Sequence, residues 1–217
     1  MTVALEGFHA VKHALRFAPD LVREVTVAAL PDALALCSTL APDIRDRLRA
    51  CAVEGPVEHP TGVRGTADRP AEDRSVLTTR SSPLVLLDDP RHPGNAGAAI
   101  RVAAAAGASG VAVLGALDPW HPAVVRGSAG LHYALPVLSC GLADLTGPLV
   151  ALDADGDRLG ELPDDAVLVV GSERAGLSPA VREAAGRVVA LPMREGVSSL
   201  NLATAVSAAL YSWRLRR

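Results

Sequence analysis

Aromatic side chains make up only 3% of the 217 residues, and Lys12 is the single lysine. With 49% hydrophobic residues, mostly Ala and Val, the chain is excluded from the disordered class and reads as a globular α/β protein with a core of small pieces. No run approaches the about 18 to 20 apolar residues that a membrane span requires. The first residues lack a basic segment followed by an apolar signal core, so a cytoplasmic protein with no membrane partner is expected. Cys37, Cys51 and Cys140 are odd in number, widely spaced and without a CxxC pair, which argues against both a disulfide framework and a zinc site. A net charge of -3 argues against a general nucleic-acid coat protein. It does not exclude RNA, because almost all the cations are Arg, the residue better suited to bidentate phosphate contacts. No Rossmann GxGxxG is present. Gly94-Asn-Ala-Gly97 after a strand, with Asp118 where a ribose-binding acid would stand, is therefore a poor match to a nucleotide-dependent oxidoreductase.

What is present is one pattern three times: a short apolar strand that breaks into a turn with Gly and clustered polar side chains. The segments run from Leu84 to Gly107, from Val167 to Ser178 and from Val188 to Ala205. Each places its polar residues just past the carboxyl end of a predicted strand, where open α/β sheets hold their ligands, so the three are expected to form one site. In the first, Ala98 to Ala106 reads AAIRVAAAA, a helix whose only charge is Arg101. A guanidinium among packed apolar neighbours has to be paired, face a cleft or snorkel to solvent, since burying it alone costs several kcal/mol or more.

Along the chain, helices are predicted at Gly7 to Phe17, Pro31 to Leu40 and Pro42 to Ala52, with strands at Glu24 to Ala28 and Pro56 to Glu58. Pro60 to Ser82 has linker composition, with one short strand expected at Ser75 to Thr79. Strands near Leu84, Val111, Leu149, Val167 and Val188 then alternate with helices, which implies a mostly parallel sheet closed by a helix from Ser199 to Trp213. The domain division this implies is 1–75 and 76–217. His9 and His13 lie one turn apart but have no third ligand in view, so no metal is expected. Asp153, Asp155 and Asp157 read as an acidic turn rather than a calcium loop. Arg45, Arg47 and Arg49 read as a solvated helix face, and Arg214, Arg216 and Arg217 as a basic tail.

Asn95-Ala-Gly-Ala-Ala-Ile-Arg101 with Gly107 resembles the first motif of the SpoU (TrmH-like) RNA 2'-O-ribose methyltransferases of the SPOUT superfamily. Gly171-Ser-Glu173 with Gly176-Leu-Ser resembles the second, and Leu191-Pro-Met193 with Ser198-Ser-Leu-Asn201 the third. Arg126-Gly-Ser-Ala-Gly-Leu and Leu135-Pro-Val are similar to the family's intervening pattern, and the resemblance covers roughly Pro83 to Trp213. Val102 departs from it, where Thr is common, as does Arg194-Glu195, where small residues are frequent. Glu6-Gly-Phe-His-Ala-Val-Lys-His-Ala-Leu resembles the start of the small substrate-binding domain that several such proteins carry.

The resemblance implies a small N-terminal α/β domain that binds RNA, followed by a SPOUT-type sheet with a C-terminal trefoil knot. It implies S-adenosylmethionine as cofactor, a ribose 2'-hydroxyl in RNA as substrate, ribosomal RNA ahead of transfer RNA, and a homodimer. Gly171, Leu191, Met193, Gly196 and Leu200 are the expected cofactor contacts, largely through the main chain. Arg101, Asn95, Glu173, Ser199 and Asn201 are the expected catalytic set. Arg101 would act on the ribose hydroxyl, the two asparagines would orient substrate and cofactor, and Ser199 would hold its loop, the hydroxyl or a helix start. Glu173 would pair with Arg101 or a backbone amide. The alternative is a catalytically silent RNA-binding protein on a methyltransferase fold.

Overall fold

In the computed structural model, which describes residues 1–217, the chain opens on a strand that its composition barely signals. β1 (Thr2–Glu6) buries only Val3 and Leu5. Helix α1 (Phe8–Phe17) follows, then β2 (Val22–Val27), α2 (Leu30–Leu40), α3 (Arg45–Cys51) and β3 (Ala52–Glu54). Phe8, Val11, Ala14 and Leu15 recur at helical spacing and give α1 one buried face. The strand expected at Pro56 to Glu58 lies earlier, at β3, which pairs parallel with β2. Proline, with no N–H, cannot donate to such a ladder.

The stretch from Pro60 to Ser82 is not a linker. β4 (Val63–Asp68) runs inside it and pairs antiparallel with both β1 and β2, in a sheet of order β1-β4-β2-β3. Its inward positions are Val63, Gly65 and Ala67, too small to stand out as an apolar alternation. Gly65 is required there, because a Cβ would lie 2.7 Å from the Glu24 carbonyl oxygen. The short strand expected at Ser75 to Thr79 is a 3₁₀ turn over Arg74–Leu77. Asp73 opens it by accepting the Ser75 N–H at 3.0 Å.

The second sheet contains β5 (Leu84–Asp88), β6 (Gly110–Leu114), β7 (Val137–Ser139), β8 (Leu149–Arg158), β9 (Val167–Val170) and β10 (Arg187–Ala190), all parallel, in the order β10-β8-β9-β5-β6-β7. Between them run α4 (Pro93–Ala106), α5 (Pro122–Gly127) and α6 (Pro179–Ala184), and α7 (Leu202–Arg214) closes the chain. β5 and β9 are buried at every residue, as parallel strands covered on both faces must be. Asp153, Asp155 and Asp157 belong to β8 rather than to an acidic turn. β8 runs on past the core to meet β10 across a register shift at Val188/Val189. Strand order reverses at β5, with β6 and β7 on one side and β9, β8 and β10 on the other. A crevice therefore opens between the carboxyl ends of β5 and β9.

Asn201, not Ser199, caps α7, its Oδ1 accepting the N–H groups of Ala203 at 2.9 Å and Thr204 at 3.4 Å. Leu202, Val206, Ala209, Leu210 and Trp213 are buried, so this helix has its main apolar face covered within the chain instead of left over for a partner. Val197, Leu200, Tyr211 and Leu215 remain exposed.

The two sheets share one continuous apolar core. α1 lies against the turn at 129–133, where Gly130 has φ +76° and a Cβ would sit 2.8 Å from the Ala10 carbonyl oxygen. His13 Nδ1 donates to the Ala129 carbonyl at 2.7 Å, and Arg126 pairs with Glu6 at 2.9 Å. No helix is long and apolar enough to cross a membrane.

Candidate active site

Three predicted residues from three different segments meet in one hydrogen-bonded chain at the crevice. Asn201 Nδ2 donates to Asn95 Oδ1 at 2.9 Å, and Asn95 Nδ2 donates to Glu173 Oε1 at 2.8 Å. The other Glu173 oxygen accepts the Arg91 N–H at 3.1 Å, so of the two expected partners it is the backbone amide that is found. Partial burial pushes the Glu173 carboxyl up. The donors from Asn95 and Arg91, with the charge of His92, outweigh it and hold the group below its ordinary range. Both carboxylate oxygens are thus engaged, which suits Glu173 to fixing Asn95 and not to accepting a substrate proton.

Beside this chain lies a cavity of about 390 Å³, within the range of small-molecule sites, half of whose 16 lining residues are hydrophobic. The middle of β8, where Leu152 is level with the last residue of β9, supplies Leu152 and Ala154, the turn after β9 supplies Gly171 to Glu173 and Gly176, and the segment after β10 supplies Leu191, Met193 and Leu200. Of the expected cofactor contacts, Gly171, Leu191, Met193 and Leu200 line it, while Gly196, with φ +83°, lies in an adjoining depression with Leu191 and Met193. Gly171 cannot be larger. A Cβ would run into the Gly176 carbonyl carbon, across the turn that the paired Ser172 and Gly176 backbones close. Ser199 borders the cavity and is exposed.

Arg101 stands apart. It is exposed rather than buried, and has neither a hydrogen-bond nor an ion-pair partner. The reason is the face it occupies: Ala96, Ala99, Ile100, Ala103 and Ala106 point inward, leaving Arg101 and Ala105 on the outer strip. Along the axis it lies about 9 Å beyond Asn95. Burial lowers the pKa of His9 and of Lys12 on α1, and positive charge lowers them further, from Lys12 and then Arg101 at His9 and from Arg16 and then Arg101 at Lys12.

Leu152 and Ala154 were invisible as site residues because the acidic run they adjoin reads as a turn; the signal that would have found them is the parallel pairing that sets Leu152 level with the end of β9. Asp88, buried at the end of β5, was also missed. Its carboxylate accepts the Ser178 N–H at 2.6 Å and ties the turn after β9 to the first strand. Of the C-terminal arginines, Arg217 pairs with Asp164 and lies 5.1 Å over the Trp213 ring, which fastens the tail to the fold.

Residues 82–211 match the SpoU rRNA Methylase family. The chain is 37% identical over 172 residues to a 23S rRNA (uridine(2479)-2'-O)-methyltransferase of Streptomyces viridochromogenes, covering 71% of this chain and 60% of that protein. It is 28% identical over 230 residues to the 23S rRNA (guanosine(2553)-2'-O)-methyltransferase RlmP of Bacillus subtilis, covering 98% and 88%. Against the S. viridochromogenes relative, and another from Streptomyces azureus at 58%, the chain spans less than two thirds of the relative's length. Among solved structures, the SpoU methyltransferase AviRb from S. viridochromogenes in complex with AdoMet superposes with a TM-score of 0.80 at 28% identity, over 100% of this chain and 90% of that one. The matched residues include every wall of the cavity together with Asn95 and Arg101, and the chain belongs to the SpoU rRNA methylase family.

Proposed function

We propose that this protein is an S-adenosylmethionine-dependent methyltransferase acting on a ribose 2'-hydroxyl of ribosomal RNA, in the cytoplasm. The observation that carries the reading is the Asn201–Asn95–Glu173 chain, which ties the three motif segments together at the mouth of the cavity. The cavity fits the cofactor on its own chemistry. Apolar walls from Leu152, Leu191, Met193 and Leu200 suit a purine, the bare Gly171 backbone permits close approach, and the carboxylates of Asp153 and Glu173 at the rim do not repel a sulfonium cation. Bound there, S-adenosylmethionine supplies an electrophilic methyl group.

The rest falls to the chain's own residues. Asn95 and Asn201, oriented by each other and by Glu173, present fixed amide dipoles at the rim. Ser199 offers a hydroxyl to the incoming ribose. Arg101 keeps its proton, since guanidinium is too weak an acid to serve as a base. Its role is electrostatic: it stabilises negative charge developing on the 2'-oxygen while the hydroxyl proton leaves to a substrate phosphate or to water.

Three further features belong to the same reading. Residues 1–75 act as the RNA-substrate part and 76–217 as the methyltransferase part. The C-terminal segment, threaded through an earlier loop, forms a trefoil knot. Exposed Val197, Leu200, Tyr211 and Leu215 meet a second copy in a homodimer. Calorimetric titration with S-adenosylmethionine, followed by transfer of labelled methyl to 23S rRNA, tests the proposal. Binding and transfer together support it, and absence of binding by the folded protein would overturn it.

A further inference from the structure

The charged residues that line the cavity are Asp153, Glu173 and Arg174, and they differ in what already holds them. Asp153 is paired with Arg182 of α6, and its other oxygen accepts the Asp155 N–H at 3.2 Å. Both oxygens of Glu173 are taken by Asn95 and Arg91. The exposed Arg174 side chain has neither an ion-pair nor a hydrogen-bond partner, and no other cation lines the cavity. Arg158 and Arg194 border only the adjoining depression. The backbone that carries Arg174 is fixed. Ser172 and Gly176 exchange both backbone hydrogen bonds at 3.0 Å, which closes a turn of Glu173, Arg174 and Ala175. Ser172 Oγ also accepts the Ala175 N–H at 3.3 Å, so Arg174 stands between two anchored neighbours on the cavity wall.

We propose that Arg174 binds the α-carboxylate of S-adenosylmethionine and thereby selects adenosine compounds that carry an amino-acid tail. The inference rests on the methyltransferase reading and deepens it by assigning one end of the cofactor. Charge complementarity supports it. The cofactor has two cationic groups, its sulfonium and its ammonium, and one anionic group, its carboxylate. The cavity offers the opposite set: two carboxylates, Asp153 and Glu173, and one guanidinium, Arg174. The engaged carboxylates repel the anionic end of the cofactor, which leaves Arg174 as its place on this wall. A guanidinium suits the task, because its planar fork of donors matches the two oxygens of a carboxylate. Arg174 directly follows Glu173, so the grip on the cofactor and the Asn201–Asn95–Glu173 chain share one turn.

The test is calorimetric titration of the full chain with three compounds. S-adenosylmethionine is the first. S-adenosylhomocysteine keeps the carboxylate and lacks the sulfonium charge, and decarboxylated S-adenosylmethionine keeps the sulfonium and the ammonium alone. Arg174→Ala should bind the first two about tenfold to a hundredfold more weakly than the parent, the range for hydrogen bonds to a charged group. It should bind the decarboxylated compound no more weakly than the parent does. Arg174→Lys should recover part of the loss, since an ammonium keeps the charge without the planar fork. Unchanged affinity for S-adenosylmethionine in Arg174→Ala would overturn the assignment. An equal loss with the decarboxylated compound would overturn it too, by marking a general distortion of the turn. A loss confined to the affinity for 23S rRNA and its salt dependence would place Arg174 on the RNA backbone instead, again overturning it. Failure of the parent protein to bind S-adenosylmethionine would count against the methyltransferase reading itself.

Discussion

Asn95 and Asn201 stand 106 positions apart in the chain, yet their side-chain amides are hydrogen-bonded at 2.9 Å. The contact joins the first turn of α4 to the cap of α7. Each amide also serves a second contact. Asn201 Oδ1 receives two N–H groups of α7, and Asn95 Nδ2 donates to Glu173.

Asn201→Asp separates the cap from the amide pair. Its carboxylate still caps α7, so thermal stability should stay near that of the parent, whereas Asn201→Ala should cost about 1 kcal/mol. The donor to Asn95 is lost in both. Neither orientation of the Asn95 amide then avoids setting its oxygen against a carboxylate, of residue 201 or of Glu173. Methyl transfer should therefore fall at least tenfold in Asn201→Asp while the melting temperature holds. Parental activity in that variant would remove the chain of amides from the mechanism.

Gly171 and Gly176 face each other across the turn after β9, and they should respond differently to alanine. At Gly171 the added carbon collides with the backbone of Gly176 and Leu177, so the turn has to shift, with a loss of about 1–3 kcal/mol in stability and weaker S-adenosylmethionine binding. At Gly176 nothing lies within 4 Å and only the left-handed backbone, φ +67°, is strained, at about 1–2 kcal/mol. Chemical denaturation with cofactor titration distinguishes them. Equal cofactor affinity in the Gly171→Ala and parent proteins would show that this turn does not shape the cavity.

His132 is wholly enclosed. Its Nε2 donates to the Pro119 carbonyl at 2.8 Å, which leaves Nδ1 facing Ser128 Oγ at 2.7 Å. Burial pushes its pKa down to about 4 from 6.5, and burial pushes His13 down to about 4 as well. Between those values the unfolded chain binds the extra protons. The stabilising contribution is therefore complete above pH 6.5 and is lost as the pH falls toward 4. The denaturation midpoint should fall across that window, and less steeply in His132→Gln. An identical slope in parent and variant would contradict the assignment.

Much of this was legible in the chain, for physical reasons that differ from place to place. β5 and β9 announce themselves because doubly covered parallel strands must be continuously apolar. β4 stays hidden because its inward positions are filled by valine, glycine and alanine, with Thr and Arg between. The Ala-rich α4 signals that it is buried but not which side faces outward, since small residues on all sides leave the face undefined. Arg101 therefore read as enclosed, while the fold places it on the solvent strip. The meeting of Asn95, Glu173 and Asn201 depends on long-range topology that no local pattern carries, and the family resemblance anticipated their membership of one site without supplying the hydrogen bonds.

Arg101 carries the proposed stabilisation of the 2'-oxygen, yet it is exposed and has no partner in the chain. Nucleoside analysis of 23S rRNA incubated with S-adenosylmethionine and either the parent protein or Arg101→Ala puts the central claim to the test. The parent should form a single new 2'-O-methylated nucleoside. Arg101→Ala should form it about a hundredfold more slowly, at unchanged cofactor affinity. A methyl group found on a base, or formation at the parental rate in Arg101→Ala, would contradict it.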